Sequence, residues 1–384
     1  MRFRFAAAAG ALMLAAALAL PAAPAYADGI RNDQWHLKSL DVAKAQAISN
    51  GSGVTVAVLD TGVYPHPDLQ RNLLAGVDLQ PGGKGDGRVD SVGHGTNVAA
   101  LIAAHGKSGG NGVLGLAPAA KILPVKVTDK ISDVSLDGAV KGVGWAEAHG
   151  AKVINFSAVT GPSGDLIDAV DTAIDNGVVV VAAVGNTSED AIIGYPAAID
   201  GVLAVGAVDE NGKHSSGSVV DKKVDICAPG VDITTAEPKN RYAEADGTSL
   251  STAIVSGAVA LVRAKFPDLS GPEIVHRLEA TADDIGPPGR DDECGYGKLN
   301  VVKALTADVA PVGSGAASAA PTGSVTGSGN EGYIDPAATT VAAPEVGDAK
   351  PASSSTPLIL GALAGLVVAG AAVAFLVVRR RRNF

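Results

Sequence analysis

The sequence predicts an α/β domain built on a mostly parallel sheet with helices on both faces. Three observations carry that prediction. Five short runs, Val54 to Leu59, Ile122 to Val127, Val153 to Phe156, Val178 to Ala183 and Val202 to Ala207, are almost continuously apolar, as strands covered on both faces must be. Longer stretches of helical period, Leu136 to His149 and Leu166 to Asn176, stand between them and have the length a crossover between parallel strands needs. A carboxylate and a glycine then follow the first strand directly, in Leu59-Asp60-Thr61-Gly62, and ligands of such sheets bind beyond the carboxyl ends of the strands.

The two ends of the 384-residue chain are not globular in composition. Arg2 and Arg4 precede the apolar run Ala6 to Leu20 and then Ala25-Tyr26-Ala27, the pattern of a secretory signal (residues 1–27) cut after Ala27. Residues 358–378 carry no charge and are long enough to span a bilayer as a helix, and the tail 379–384 opens with four arginines, which the positive-inside rule places in the cytoplasm. Residues 307–357, with Gly313-Ser314-Gly315 and Ser353-Ser354-Ser355, read as a flexible tether. What remains, residues 28–306, is one domain with an N-terminal extension over 28–53. The expected place is therefore the cell membrane, crossed once, with the domain on the outer side.

Charge narrows the partners. The whole chain has a net charge of −10, and setting aside the six arginines of signal and tail leaves −16, which argues against nucleic acid and anionic lipid surfaces. Only two cysteines occur, Cys227 and Cys294, both in the part expected outside. In an oxidising compartment, with no third thiol to compete, they are expected to pair.

Three Gly-framed turns hold the chemistry. Asp60 ends the first strand; alone it could be a turn-forming acid. His94, in Gly93-His94-Gly95-Thr96, opens the apolar stretch Asn97 to Ala104, and Ser249, in Gly247-Thr248-Ser249, opens the apolar helix Ala253 to Lys265. Alone, that serine would be a helix cap. Together they are the types acyl transfer by serine needs: a nucleophile, a base beside its hydroxyl and an acid orienting the base. The chain order Asp, His, Ser excludes the hydrolase fold with a G-x-S-x-G elbow, whose order is Ser, Asp, His.

That order and the words Asp60-Thr61-Gly62, His94-Gly95-Thr96 and Gly247-Thr248-Ser249 resemble the subtilisin-like serine proteases over about Val54 to Asn300. The resemblance implies the subtilisin-like fold, with Asp60 orienting His94, His94 taking the proton of Ser249, and Ser249 attacking a peptide carbonyl. It also implies an oxyanion donor at Asn186, after Val178 to Gly185, and substrate contacts at Ser157, Ala158, Val159, Val184 and Gly185. Further likenesses are Ile154-Asn155-Phe156-Ser157, Tyr195-Pro196-Ala197 and Ala228-Pro229-Gly230.

The pattern departs from the family at several places. Ala253 stands for a usual Pro, Asn97 for a second His, Val159 for a Gly and Val184 for an Ala. The extra methyl groups of Val159 and Val184 predict a primary pocket for small side chains. Family members often bind calcium, and Asp68 in His66-Pro67-Asp68-Leu69 matches a usual ligand, but the several oxygens a hard cation wants do not assemble from the sequence. No metal or cofactor is otherwise expected.

The whole layout resembles the mycosins, the subtilisin-like proteases of type VII secretion systems: signal, Asp28-Gly29-Ile30-Arg31 and Asp33-Gln34-Trp35, protease, tether, span and basic tail. The extension is too short for a folded inhibitory prodomain and is expected to lie on the protease surface. The resemblance implies secreted protein substrates and a link to the secretion machinery. A membrane-tethered scaffold of the same fold that cuts nothing is the alternative.

Overall fold

The computed structural model describes residues 29–311, apart from 108–109, 131–133 and 188–191. The expected signal, the tether from residue 312, the membrane span and the basic tail lie outside the described residues. Among the described residues no helix is long and apolar enough to cross a membrane.

The chain opens with three short helices, α1 (Ile30–Asp33), α2 (Trp35–Ser39) and α3 (Val42–Ile48), then enters strand β1 (Thr55–Asp60). There follow β2 (Val77–Asp78), α4 (His94–Ala103), β3 (Lys121–Lys126), α5 (Leu136–Ala148), β4 (Val153–Phe156), α6 (Gly164–Asp175), β5 (Val179–Ala183), β6 (Leu203–Val208) and β7 (Ile226–Pro229). A hairpin of β8 (Ile233–Glu237) and β9 (Arg241–Ala245) leads into α7 (Thr248–Lys265), α8 (Gly271–Ala280) and α9 (Val301–Thr306). The main sheet has the order β2-β3-β1-β4-β5-β6-β7 and its strands pair in parallel. β8 and β9 form a separate antiparallel pair.

Strand alternation divides the core in two. Val56, Val58, Val153, Val179, Val181, Leu203 and Val205 point to the layer that contains α4 and α7. Ala57, Leu59, Ile154, Phe156, Val180, Ala182 and Ala204 point to the layer of α5 and α6. Both faces of the sheet are thus covered, which is why the strands read as unbroken apolar runs. Every residue of α7 from Leu250 to Val262 is buried, and that helix is correspondingly rich in Ala, Gly and Ser, which let the surrounding strands approach.

The five expected strands appear within one residue of their expected limits. Strands β2, β7 and the β8–β9 hairpin were not expected, because they are short or polar and carry no apolar run. Cys227, on β7, is joined to Cys294 by a disulfide with Cα atoms 5.0 Å apart and a sequence separation of 67. The extension binds the domain surface through specific groups. Arg31 donates to the carbonyls of Gly112 and Asn111, Gln34 exchanges hydrogen bonds with the backbone of Leu114, and Ser49 Oγ donates to the Leu261 carbonyl.

Candidate active site

Strand β1 delivers Asp60 to the carboxyl edge of the sheet, fully buried. Its Oδ1 accepts from the Thr61 N–H at 2.7 Å. His94 is the first residue of α4 and Gly93 is its cap, with φ 105°, a left-handed conformation that glycine adopts without strain. His94 Nδ1 lies 2.8 Å from Asp60 Oδ1 and 2.9 Å from Oδ2. With its side chain 20 % exposed, the imidazole reaches the cleft while its acid partner is sealed from water.

Ser249 stands in the first turn of α7, where the helix N-terminus favours developing negative charge. Gly247 before it has φ 139° and abuts the Asn186 side chain. The Ser249 hydroxyl donates to the Ser157 carbonyl at 3.0 Å, and the Ser157 hydroxyl donates to the Ser249 carbonyl at 3.1 Å. Behind this pair runs a buried relay: Asn155 Nδ2 donates to Ser157 Oγ at 2.8 Å, and Ser256 Oγ donates to Asn155 Oδ1 at 2.9 Å. Both atoms of the Asn155 amide are thereby satisfied in the core, so the end of β4 and the first turns of α7 are held in one register.

Asn186 follows Gly185 beyond β5. Its Oδ1 accepts from the Thr248 N–H and hydroxyl at 3.1 and 3.2 Å, which leaves the Nδ2 amide as the donor group at the cleft wall. His94, Asn186 and Ser249 line one open cleft of about 670 Å³, together with Ser157, Ala158, Val159 and Gly185. The arrangement brings an acid, a base, a hydroxyl and an amide donor together at the carboxyl edge of the sheet.

Val184 departs from the sequence expectation. Its side chain is fully buried in the α5–α6 layer, among the even-numbered residues of its strand, and the neighbours that line the cleft are Ala183 and Gly185. Val159 does line the cleft, and its Cγ1 occupies the space that a Cβ at Gly194 would need. Of the two valines, only Val159 is placed to narrow the pocket. Asn97, where the family usually has His, also borders the cleft and donates to the Ala236 carbonyl at 2.7 Å, tying α4 to β8.

Around Asp68, most of the oxygens that a calcium ion could use are engaged within the chain. Its Oδ2 accepts from the Val113 N–H at 2.8 Å and the Tyr242 hydroxyl at 2.9 Å. The nearby carbonyls of Asn111 and Gly112 accept from the Arg31 guanidinium, and the Lys107 ammonium stands 5.1 Å from the centre of the Tyr242 ring. Asp68 Oδ1 is buried without a hydrogen-bond partner, but an ion beside it would have to take the Asn111 and Gly112 carbonyls from Arg31. Among the described residues no group of three or more His, Cys, Asp or Glu could hold a metal.

The sequence motifs give no role to Asp90, Lys126, Asn155 or Ser256, and Thr61 enters them only within the Asp60-Thr61-Gly62 turn. Lys126 is buried and donates to the carbonyls of Thr61 and Val89, which fixes the turn after Asp60 from the neighbouring strand. Asp90 was legible only as an acid three residues before Gly93, a spacing that marks a turn.

Comparison with known proteins identifies the family. A profile of the subtilase family matches residues 51–297. The chain is 43% identical to Subtilisin Savinase of Lederbergia lenta over 237 residues, covering 62% of this chain and 86% of that protein. Among solved structures it resembles MycP1 from Mycobacterium smegmatis, at 30% identity and a TM-score of 0.65, covering 72% of this chain and 85% of the other. It also resembles the MycP3 protease of the type VII (ESX-3) secretion system, at 32% identity and a TM-score of 0.62, covering 71% and 88%.

Proposed function

We propose, from the premise that the chain belongs to the subtilase family and is a serine endopeptidase of the subtilisin type, that it works tethered outside the cytoplasm on secreted proteins, in connection with type VII secretion. The observation that carries the catalytic part is the buried Asp60 carboxylate on His94 Nδ1 at 2.8 Å, in the same cleft wall as Ser249.

In this reading the Ser249 hydroxyl turns from the Ser157 carbonyl to His94, which takes its proton as the oxygen attacks a peptide carbonyl. Asp60 holds the imidazole with Nδ1–H towards itself and stabilises the imidazolium. Asn186 Nδ2 and the N-terminus of α7 receive the oxyanion. His94 then gives its proton to the leaving amine, and water hydrolyses the acyl-enzyme by the same steps in reverse. These side chains and water suffice, without a metal or cofactor.

The likeness to MycP1 and MycP3 and the sequence layout of signal, tether, span and basic tail support the placement and the link to secretion. Comparing proteins secreted by cells carrying the wild-type chain with those carrying Ser249→Ala tests it. Accumulation of an uncleaved secreted substrate in the variant is expected. Identical cleavage patterns would contradict it.

A further inference from the structure

We infer that Asp90, outside the triad, is a positioning residue that locks the His94 helix to the strand tip bearing Asp60. The inference rests on the protease reading above. Asp90 is 6 % exposed, and its two oxygens accept five hydrogen bonds. Two come from the N–H groups of Val92 and Gly93, at 3.1 and 2.7 Å, and shape the local turn. The other three leave that turn. Oδ1 accepts from the Thr61 hydroxyl at 3.0 Å, and Oδ2 accepts from the Thr96 N–H and hydroxyl at 2.9 and 2.6 Å.

Thr61 completes the lock. Its hydroxyl accepts from the Gly95 N–H at 3.0 Å, its own N–H donates to Asp60 Oδ1 at 2.7 Å, and its carbonyl accepts from Lys126 Nζ at 2.8 Å. Gly95 can come this close because it lacks a Cβ, which would fall on the Gly62 carbonyl oxygen. His94 therefore sits between two residues, Gly93 and Gly95, whose N–H groups are both pinned to the Asp90–Thr61 pair. The imidazole meets Asp60 from a helix turn that is already fixed to the residue after Asp60. The contact of base and acid is set by this second attachment as well as by their own hydrogen bond.

Only a carboxylate satisfies the arrangement, since donors approach both of its oxygens. An amide in its place turns an NH2 group against either the Thr96 N–H or the Thr61 and Gly93 donors. A turn-forming acid would affect folding alone, whereas a positioning residue affects turnover at each folded site.

The test measures kcat and KM for Asp90→Asn, Thr61→Val and Thr61→Ser on a peptide substrate, normalised to active sites titrated with a fluorophosphonate. Asp90→Asn and Thr61→Val are expected to lower kcat per titrated site about 10- to 100-fold while KM stays within about threefold, the signature of lost alignment. Thr61→Ser, which keeps the hydroxyl, is expected to restore kcat to within about threefold of wild type. Unchanged kcat per site in Asp90→Asn, or in Thr61→Val should Asp90→Asn not fold, would overturn the inference. A folded wild-type protein that the fluorophosphonate does not titrate would instead overturn the protease reading, and the inference with it.

Discussion

Ser249 and Ser157 hold each other by a reciprocal exchange: the Ser249 hydroxyl donates to the Ser157 carbonyl at 3.0 Å, and the Ser157 hydroxyl donates back to the Ser249 carbonyl at 3.1 Å. The exchange joins the end of β4 to the first turn of α7, so Ser249 and this edge of the cleft are held in one register. Asn155 and Ser256 extend the connection into the core. Ser249 is thus placed by part-buried hydrogen bonds between a strand end and a helix, backed by the buried Asn155 bonds.

Asn186 is fixed from the same helix turn, through the Thr248 donors on its Oδ1. In the proposed mechanism its Nδ2 acts on charge that exists only in the transition state. Asn186→Ala is expected to lower kcat roughly 100- to 1000-fold with little change in KM, read by steady-state kinetics on a peptide substrate. A rise in KM at constant kcat would show that the amide binds substrate and not the oxyanion.

Val159 lines the cleft, with its Cγ1 packed against Gly194. Wild type is expected to prefer small residues at the cleaved position, by roughly 1 to 3 kcal/mol for each methylene-sized misfit. Val159→Gly should relax that preference towards larger side chains, and peptide-library profiling checks it. A wild-type preference for Phe or Tyr would show that Val159 does not border the primary pocket.

Much of this site was legible in the sequence because each residue stands in or beside a turn framed by glycine, Asp60 and Asn186 after a strong apolar strand and His94 and Ser249 before an apolar helix. The side of Val184 was not, since a strand buried on both faces shows no alternation in its sequence. Which face Val184 takes is decided by α5 and α6 packing on the even-numbered residues. Asp90 was hidden for another reason. Its meaning depends on Thr61, 29 residues away in sequence, being brought beside Thr96 by the fold. The β8–β9 hairpin, with residues such as Thr234, Thr235 and Glu244, carries too little apolar pattern to announce itself.

Arg31 crosses from the extension to the carbonyls of Asn111 and Gly112, where the family resemblance had raised the prospect of calcium. The melting temperature of the mature domain is therefore expected to be the same in excess chelator as in millimolar calcium. Arg31→Met is expected to cost about 1 to 3 kcal/mol in denaturant unfolding, the range for hydrogen bonds from a charged donor. A fall in melting temperature on chelation would contradict the assignment.

His36 in the extension is fully buried, and removal from water lowers its pKa from 6.5 to about 3. The unfolded segment binds a proton more readily than the folded one, so this stability is present above pH 6.5 and is lost as pH falls from there towards 3. The slope is at most about 1.4 kcal/mol per pH unit. Protection factors over residues 30–48, corrected for the intrinsic pH dependence of amide exchange, are expected to fall between pH 6 and pH 4 in wild type and much less in His36→Leu. An equal fall in both would place the acid sensitivity elsewhere.

The central claim is that Ser249 is a nucleophile activated by His94 and Asp60. Labelling the folded mature domain with a fluorophosphonate probe, followed by peptide mapping, tests it most directly. One label on Ser249 is expected, and none on Ser249→Ala, whose turnover should fall by about a million-fold with its melting temperature preserved. A folded wild-type domain that takes no label, or a Ser249→Ala variant that turns over substrate near the wild-type rate, would contradict it.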